Sequence, residues 1–165
     1  MFIVSTSVAN AQISLTDALK DNGVQTALRY VDEGTDATAQ SLVEIGGIIS
    51  PSGQEHERAN AVAERMRAIG LSKVEVDGTP NAIGMIPGRS GRALVFISTL
   101  DDLATVAQHQ KTSDQPPKIE GDQVVGPGTN TSLVTAAMLA AATALKKANV
   151  VPEHDLIFAA VAQEE

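Results

Sequence analysis

Two apolar runs in this chain end in pairs of acids. Leu156-Ile157-Phe158-Ala159-Ala160-Val161-Ala162 leads through Gln163 into Glu164-Glu165. Ala93-Leu94-Val95-Phe96-Ile97-Ser98 leads through Thr99-Leu100 into Asp101-Asp102. Adjacent carboxylates at the end of a buried strand suit metal-assisted hydrolysis: one takes a proton from water as general base while the other binds the ion. Ligands of open α/β sheets bind outside the carboxyl ends of strands, so Asp101 and the glutamate pair face one crevice if the two strands are neighbours. Between them in sequence lies the glycine turn Gly126-Pro127-Gly128-Thr129-Asn130-Thr131, followed by a helical run whose N-terminus favours anions. Plainer readings stand beside these. An acidic pair can be a solvated tail, Asp101 can cap a turn, and the glycine turn can cradle a small anion although it lacks the Lys of a phosphate-binding loop.

The elements that must hold these residues follow from the spacing of apolar positions. Residues 14–33 are weakly helical, and a second helix is expected from Thr35 to Glu44. Ser52 with Glu55 three residues on reads as a capping box. It opens a helix in which Ala59, Val62, Met66 and Ile69 recur at helical spacing. Gly70 is placed to end that helix. Strands are expected at 74–76, 82–86, 93–98 and 156–162. The run at 93–98 is apolar almost throughout, as a strand covered on both faces should be. Residues 101–122 are polar and contain proline, and read as mostly loop. A buried helix is expected from Ser132 to Asn149, with Lys146 and Lys147 near its C-terminus, where the dipole favours cations. Alternation of helices with buried strands predicts an α/β three-layer sandwich around a mixed, partly parallel sheet.

Composition narrows the chemistry. The 165 residues carry a net charge of −8, which argues against nucleic acid as a partner. There are no cysteines, so a transition-metal site would need His, Asp and Glu. With three Phe, one Tyr and no Trp, the core must be built from Ala, Val, Ile and Leu. His56, His109 and His154 fall in a first helical turn, a polar loop and a pre-strand position, where solvated histidine is the default. No run reaches the roughly 18 apolar residues of a membrane span. Ala9-Asn10-Ala11 has the form of a signal-peptidase site, which would make residues 1–12 the remnant of a secretory signal and the product periplasmic or secreted; otherwise the chain reads as cytoplasmic.

Over nearly all of residues 35–165 the chain resembles the zinc-dependent aminoacylase, dipeptidase and tripeptide-aminopeptidase superfamily of co-catalytic metallopeptidases. Ile48-Ile49-Ser50-Pro51-Ser52-Gly53-Gln54-Glu55 looks like that family's opening motif, and Ile69-Gly70-Leu71 and Asn81-Ala82-Ile83-Gly84 also fit. Three site segments follow in the family's order. The resemblance implies that Glu164 is the general base and Glu165 a metal ligand. It implies that Asp101 is the acid that orients a metal-binding His. That His is replaced by Thr99, and the Asp that bridges both metals is replaced by Thr131. The family's remaining ligands lie farther along its chain.

The resemblance therefore implies a partial metallopeptidase-like catalytic domain over residues 13–165. Its ancestral reaction is zinc-dependent hydrolysis of a small peptide or acylated amino acid, and the expectation for this chain alone is inactivity without useful zinc binding. The alternative is a non-catalytic pseudoenzyme or interaction module on the same scaffold. A sheet ending on the 156–162 strand is further expected to leave an uncovered edge there, through which the chain would self-associate.

Overall fold

The structure is a computed structural model that describes residues 14–164. The leader expected at 1–12, with Ala9-Asn10-Ala11, and the terminal Glu165 lie outside the described residues. Six helices and six strands are described: α1 Leu15–Ala18, α2 Asn22–Glu33, α3 Thr35–Gly46, α4 His56–Ile69, β1 Ser72–Val76, β2 Ala82–Ile86, β3 Ala93–Thr99, α5 Ala104–Thr112, β4 Lys118–Glu120, β5 Gln123–Val125, α6 Thr129–Lys147 and β6 Asp155–Val161. The fold is α/β with a mixed, partly parallel sheet, as the sequence implies.

The main sheet has the order β1-β2-β6-β3. β2 pairs antiparallel with β1 and β6, and β3 runs parallel to β6, in register from Ala93↔Asp155 to Thr99↔Val161. Parallel neighbours need a crossover, and the chain between β3 and β6 supplies it with α5, the β4–β5 hairpin and α6. The crossover sets both strand exits at the same end of the sheet.

α4 packs on β1 and β2, α6 packs on β3, and α2 and α3 pack on α6. Ala82 and Ile86 of β2 and Leu156, Phe158 and Ala160 of β6 meet Val62 and Met66 of α4 and Met138, Leu139 and Ala142 of α6 in one core. Phe158 is the one aromatic ring in that cluster, so close approach of small aliphatic side chains does the rest. Full burial of each large aliphatic or aromatic side chain contributes about 1.5–3 kcal/mol.

Several expectations are corrected. Residues 14–33 form two helices, because the Asp21 side chain accepts the Gly23 and Val24 N–H groups and starts α2 afresh. The 101–122 stretch contains α5 and β4, where a loop was expected. Only Ala107 of α5 is buried, so that helix carries little apolar periodicity to read. α4 starts at His56, too late for Ser52 to be its N-cap. Gly70 does end α4, in the left-handed conformation at φ 83°.

The uncovered edge lies elsewhere than expected. β6 sits inside the sheet, between β2 and β3. The edge is β3, and its Leu94, Val95, Phe96 and Ile97 are exposed, so β3 is not covered on both faces by the described residues.

Candidate functional site at the exits of the parallel strands

β3 and β6 change character together at their carboxyl ends. Ser98, Leu100, Asp101 and Asp102 are buried, although the residues before them on β3 are not. The Leu100 N–H donates to the Val161 carbonyl at 2.8 Å, which carries the strand pairing past β3 and brings Asp101 beside the exit of β6. The hydroxyls of Thr135 and Ser98 are 2.9 Å apart, and Thr135 lies 3.0 Å from the Thr99 carbonyl, so α6 is tied to the same point.

Asp102 is fully buried and paired with an equally buried Arg58 from α4, at 2.5 Å. Arg58 also donates through Nη1 to the Leu100 carbonyl at 2.8 Å and through Nε to the Ile48 carbonyl at 3.1 Å. The second carboxylate oxygen of Asp102 accepts from the Thr131 hydroxyl, and the Asp102 N–H donates to the Ser50 carbonyl at 2.7 Å. One buried ion pair therefore joins α4, the segment at 48–50, the exit of β3 and the first turn of α6. Taking two charges from water is costly, and only partners on the remaining polar atoms make such a pair stable; Arg58 and Asp102 have them.

The exit of β6 is held by three side chains from three distant segments. The Ala162 N–H donates to Asn81 Oδ1 at 2.9 Å, the Gln163 N–H to Glu55 Oε1 at 3.0 Å, and the Glu164 N–H to Asp101 Oδ1 at 3.2 Å. Glu55 Oε1 also accepts the Gly53 N–H at 2.8 Å. Asn81 is itself oriented by Asp77, whose Oδ2 accepts from Asn81 Nδ2 at 2.9 Å. These hydrogen bonds with Asn81, its side chain first, hold the Asp77 carboxyl below its ordinary value of 3.8. Gln163 takes a positive φ of 59°, a conformation that a non-glycine residue adopts at a cost, where surrounding contacts impose it.

Thr131 reaches Asp102 because α6 starts at Thr129, three residues earlier than its apolar pattern suggests. Gly128 makes this start possible. Its φ is 86°, and a side chain there would meet the Gly46 carbonyl and the Gln110 amide at 2.4 Å. A cleft of about 730 Å³ lies beside the glycine turn, lined by residues that include Val106, His109, Lys118, Gly128 and Asn130. Asp101, Asp102 and Glu164 do not line it.

The structure thus places Asp101 against the backbone of Glu164, with the Glu164 side chain exposed, and Thr131 against Asp102. Thr99 lies at the last paired position of β3. His56 and His109 are exposed, the latter on α5, whereas His154 is half-buried, its Nδ1 2.7 Å from the Ser90 hydroxyl. Sequence reasoning missed Arg58, Asp102, Glu55 and Asn81 as the residues that build the site. A signal for two of them was present. Arg58 and Glu55 fall on the same helical face as Val62 and Met66, and a charge on a buried stripe needs a buried partner.

The Asp102 carboxylate is not open to a metal ion. Both carboxylate oxygens of Asp102 are engaged, one by a guanidinium that neutralises the acid and repels a dication. Thr131 spends its proton on the same acid, and among the described residues no group of three or more His, Asp or Glu is placed to hold a metal.

No protein-family model matches the chain, and no curated protein sequence matches it. Solved structures do match in fold. A di-peptidase from Saccharomyces cerevisiae superposes with a TM-score of 0.68 at 12% identity, covering 85% of this chain and 34% of that one. Human carnosine dipeptidase 1 gives 0.65 at 16% identity, covering 85% and 34%. A tripeptidase from Staphylococcus aureus gives 0.57 at 17%, covering 77% and 36%. The chain spans about a third of the length of these structures. It has the fold of part of these peptidases, in agreement with the resemblance read from its sequence.

Proposed function

We propose that this chain is a segment of metallopeptidase-like hydrolase scaffold, descended from enzymes that cleave amide or peptide bonds near a free terminus, and that it does not hydrolyse peptides by itself. The likeness of fold to two dipeptidases and a tripeptidase supports the descent. The Arg58–Asp102–Thr131 network carries the inactivity: a protein cation and a neutral hydroxyl take up the buried acid beside the strand exits. By resemblance Glu164 keeps the position of the general base, Asp101 that of the orienting acid and Glu165 that of a metal ligand. The ancestral substrates would be small peptides or acylated amino acids.

The test is direct. The purified chain, incubated with zinc and with dipeptides or N-acetyl amino acids, is expected to release no amine above the blank, and calorimetric titration with zinc alone should give no saturable heat. Zinc-dependent hydrolysis that is lost in Glu164→Gln would overturn the proposal. A non-catalytic interaction module is the second reading, favoured by the same self-neutralised network. A chain extended past Glu165 and carrying Thr99→His with Thr131→Asp separates the two. Regained zinc binding marks a recently decayed enzyme, and continued failure marks a repurposed scaffold.

A further inference from the structure

A second cavity, of about 560 Å³, lies in the helical layer, with residues of α2, α3, α4 and α6 around it. Pockets for small molecules run from about 300 to 1,000 Å³. Ala136, Ala140, Thr143 and Lys147 of α6 line it at helical spacing, so they form one stripe along that helix. The stripe runs about 16 Å at 1.5 Å per residue. The cavity is therefore a trough, and alanine at two of these four positions leaves room that a larger side chain would fill. It is remote from the strand exits. Asp101, Asp102 and Glu164 do not line it, and Thr131 precedes Lys147 on α6 by about 24 Å.

The charge of the trough runs against that of the chain. The sequence has 20 Asp and Glu against 12 Lys and Arg, yet no acid lines the trough, and its charged residues are Arg65, Lys146 and Lys147. Arg65 is paired with Glu44 at 2.6 Å. Among the described residues no carboxylate lies within ion-pair distance of Lys146 or Lys147. These two neighbours lean to opposite walls. Lys147 Nζ stands 5.7 Å from the centre of the Tyr30 ring on α2. A Cβ added at Gly70, where α4 ends, would lie 3.6 Å from Lys146 Cε. The dipole of α6 accounts for cations at its C-terminus. It does not account for an apolar trough that opens between two of them.

We propose that this trough binds an acyl-chain carboxylate, its hydrocarbon laid along Ala136 and Ala140 and its head between Lys146 and Lys147. Removal of the apolar body from water supplies the affinity. The two unpaired ammonium groups select the charge of the head, because a cation there would be repelled and a neutral head would gain nothing from them. In a chain of net charge −8 the rest of the surface repels the same anion, so binding is confined to the trough. The site stands apart from the hydrolase reading, since it uses none of the groups at the strand exits.

Calorimetric titration of the 165-residue chain with decanoate is expected to give saturable binding of one molecule per chain. Decyltrimethylammonium, with the same hydrocarbon and the opposite charge, should give no saturable heat, and neither should acetate, which is the head alone. Lys146→Glu with Lys147→Glu should weaken decanoate by about tenfold, the scale of reversing two exposed charges. Lys111→Glu on α5 should leave it unchanged. Ala140→Trp should fill the trough and abolish binding while far-ultraviolet dichroism keeps the folded signal; if that variant unfolds, the exposed lysine pair still decides. The absence of saturable heat with decanoate, as when another part of the chain fills the trough, would overturn the proposal. So would equal binding of the anion and the cation, or an affinity for decanoate that the lysine pair does not move.

Discussion

The two halves of β3 are opposite solutions to one problem. From Leu94 to Ile97 the strand is apolar and open, with no strand on its outer side among the described residues. From Ser98 to Asp102 it is polar and closed, and nearly every group has a partner from another element. Hydrophobic burial is non-directional and leaves the open half free to accept any complementary apolar surface. Buried hydrogen bonds and ion pairs are directional, and each fixes where a particular segment must lie. Specificity in this fold is therefore concentrated at the strand exits, where an active site of this architecture would be built.

The sharpest way to break the contrast is to remove the cation that closes the polar half. Arg58→Ala leaves Asp102 buried and unpaired, and the expected loss is about 3–5 kcal/mol in urea unfolding. Replacing both partners, as Arg58→Met with Asp102→Leu, should recover most of it, because an apolar pair of similar volume needs no solvation. A loss below about 1 kcal/mol for Arg58→Ala, the range of exposed pairs, would mean that the network is not what holds the exits.

A smaller effect is expected at the periphery of the same region. The Asp77 carboxyl is held below 3.8 in the folded chain, chiefly by the Asn81 side chain. A group with a depressed folded pKa contributes stability that is present above its unfolded value and lost as pH falls through the folded value. Acid titration of folding should therefore show a loss that begins below about pH 3.8 and is reduced in Asp77→Asn. Because Asp77 is exposed, the difference should be a modest displacement of the acid midpoint. The same midpoint in both chains would remove Asp77 from the clamp on Asn81 and Ala162.

Sequence reading recovered what repeats and missed what is tied at a distance. β3 and β6 were legible as continuous apolar runs, and α4 as a periodic stripe ending at a glycine. The resemblance picked out Thr99, Asp101, Thr131 and Glu164, and the structure gathers the latter three with Asp102 at the strand exits. α5 was illegible because a helix with one buried residue writes no stripe. Arg58 and Asp102 are 44 residues apart, and nothing local announces an ion pair between them. Asp101 was read through the resemblance as the acid that orients a metal-binding His, and nothing local announced that its Oδ1 also accepts the Glu164 N–H. The edge was expected on β6 because order in the chain does not reveal order in the sheet.

Residue-resolved amide hydrogen exchange in dilute solution tests the contrast most directly. The amides of Ala162 and Gln163, held by Asn81 and Glu55 at the very end of a strand, should be protected. The outward amides of Val95 and Ile97, in the middle of an apolar strand, should exchange fast. Fast exchange at the β6 exit, or equal protection along both halves of β3, would contradict the account.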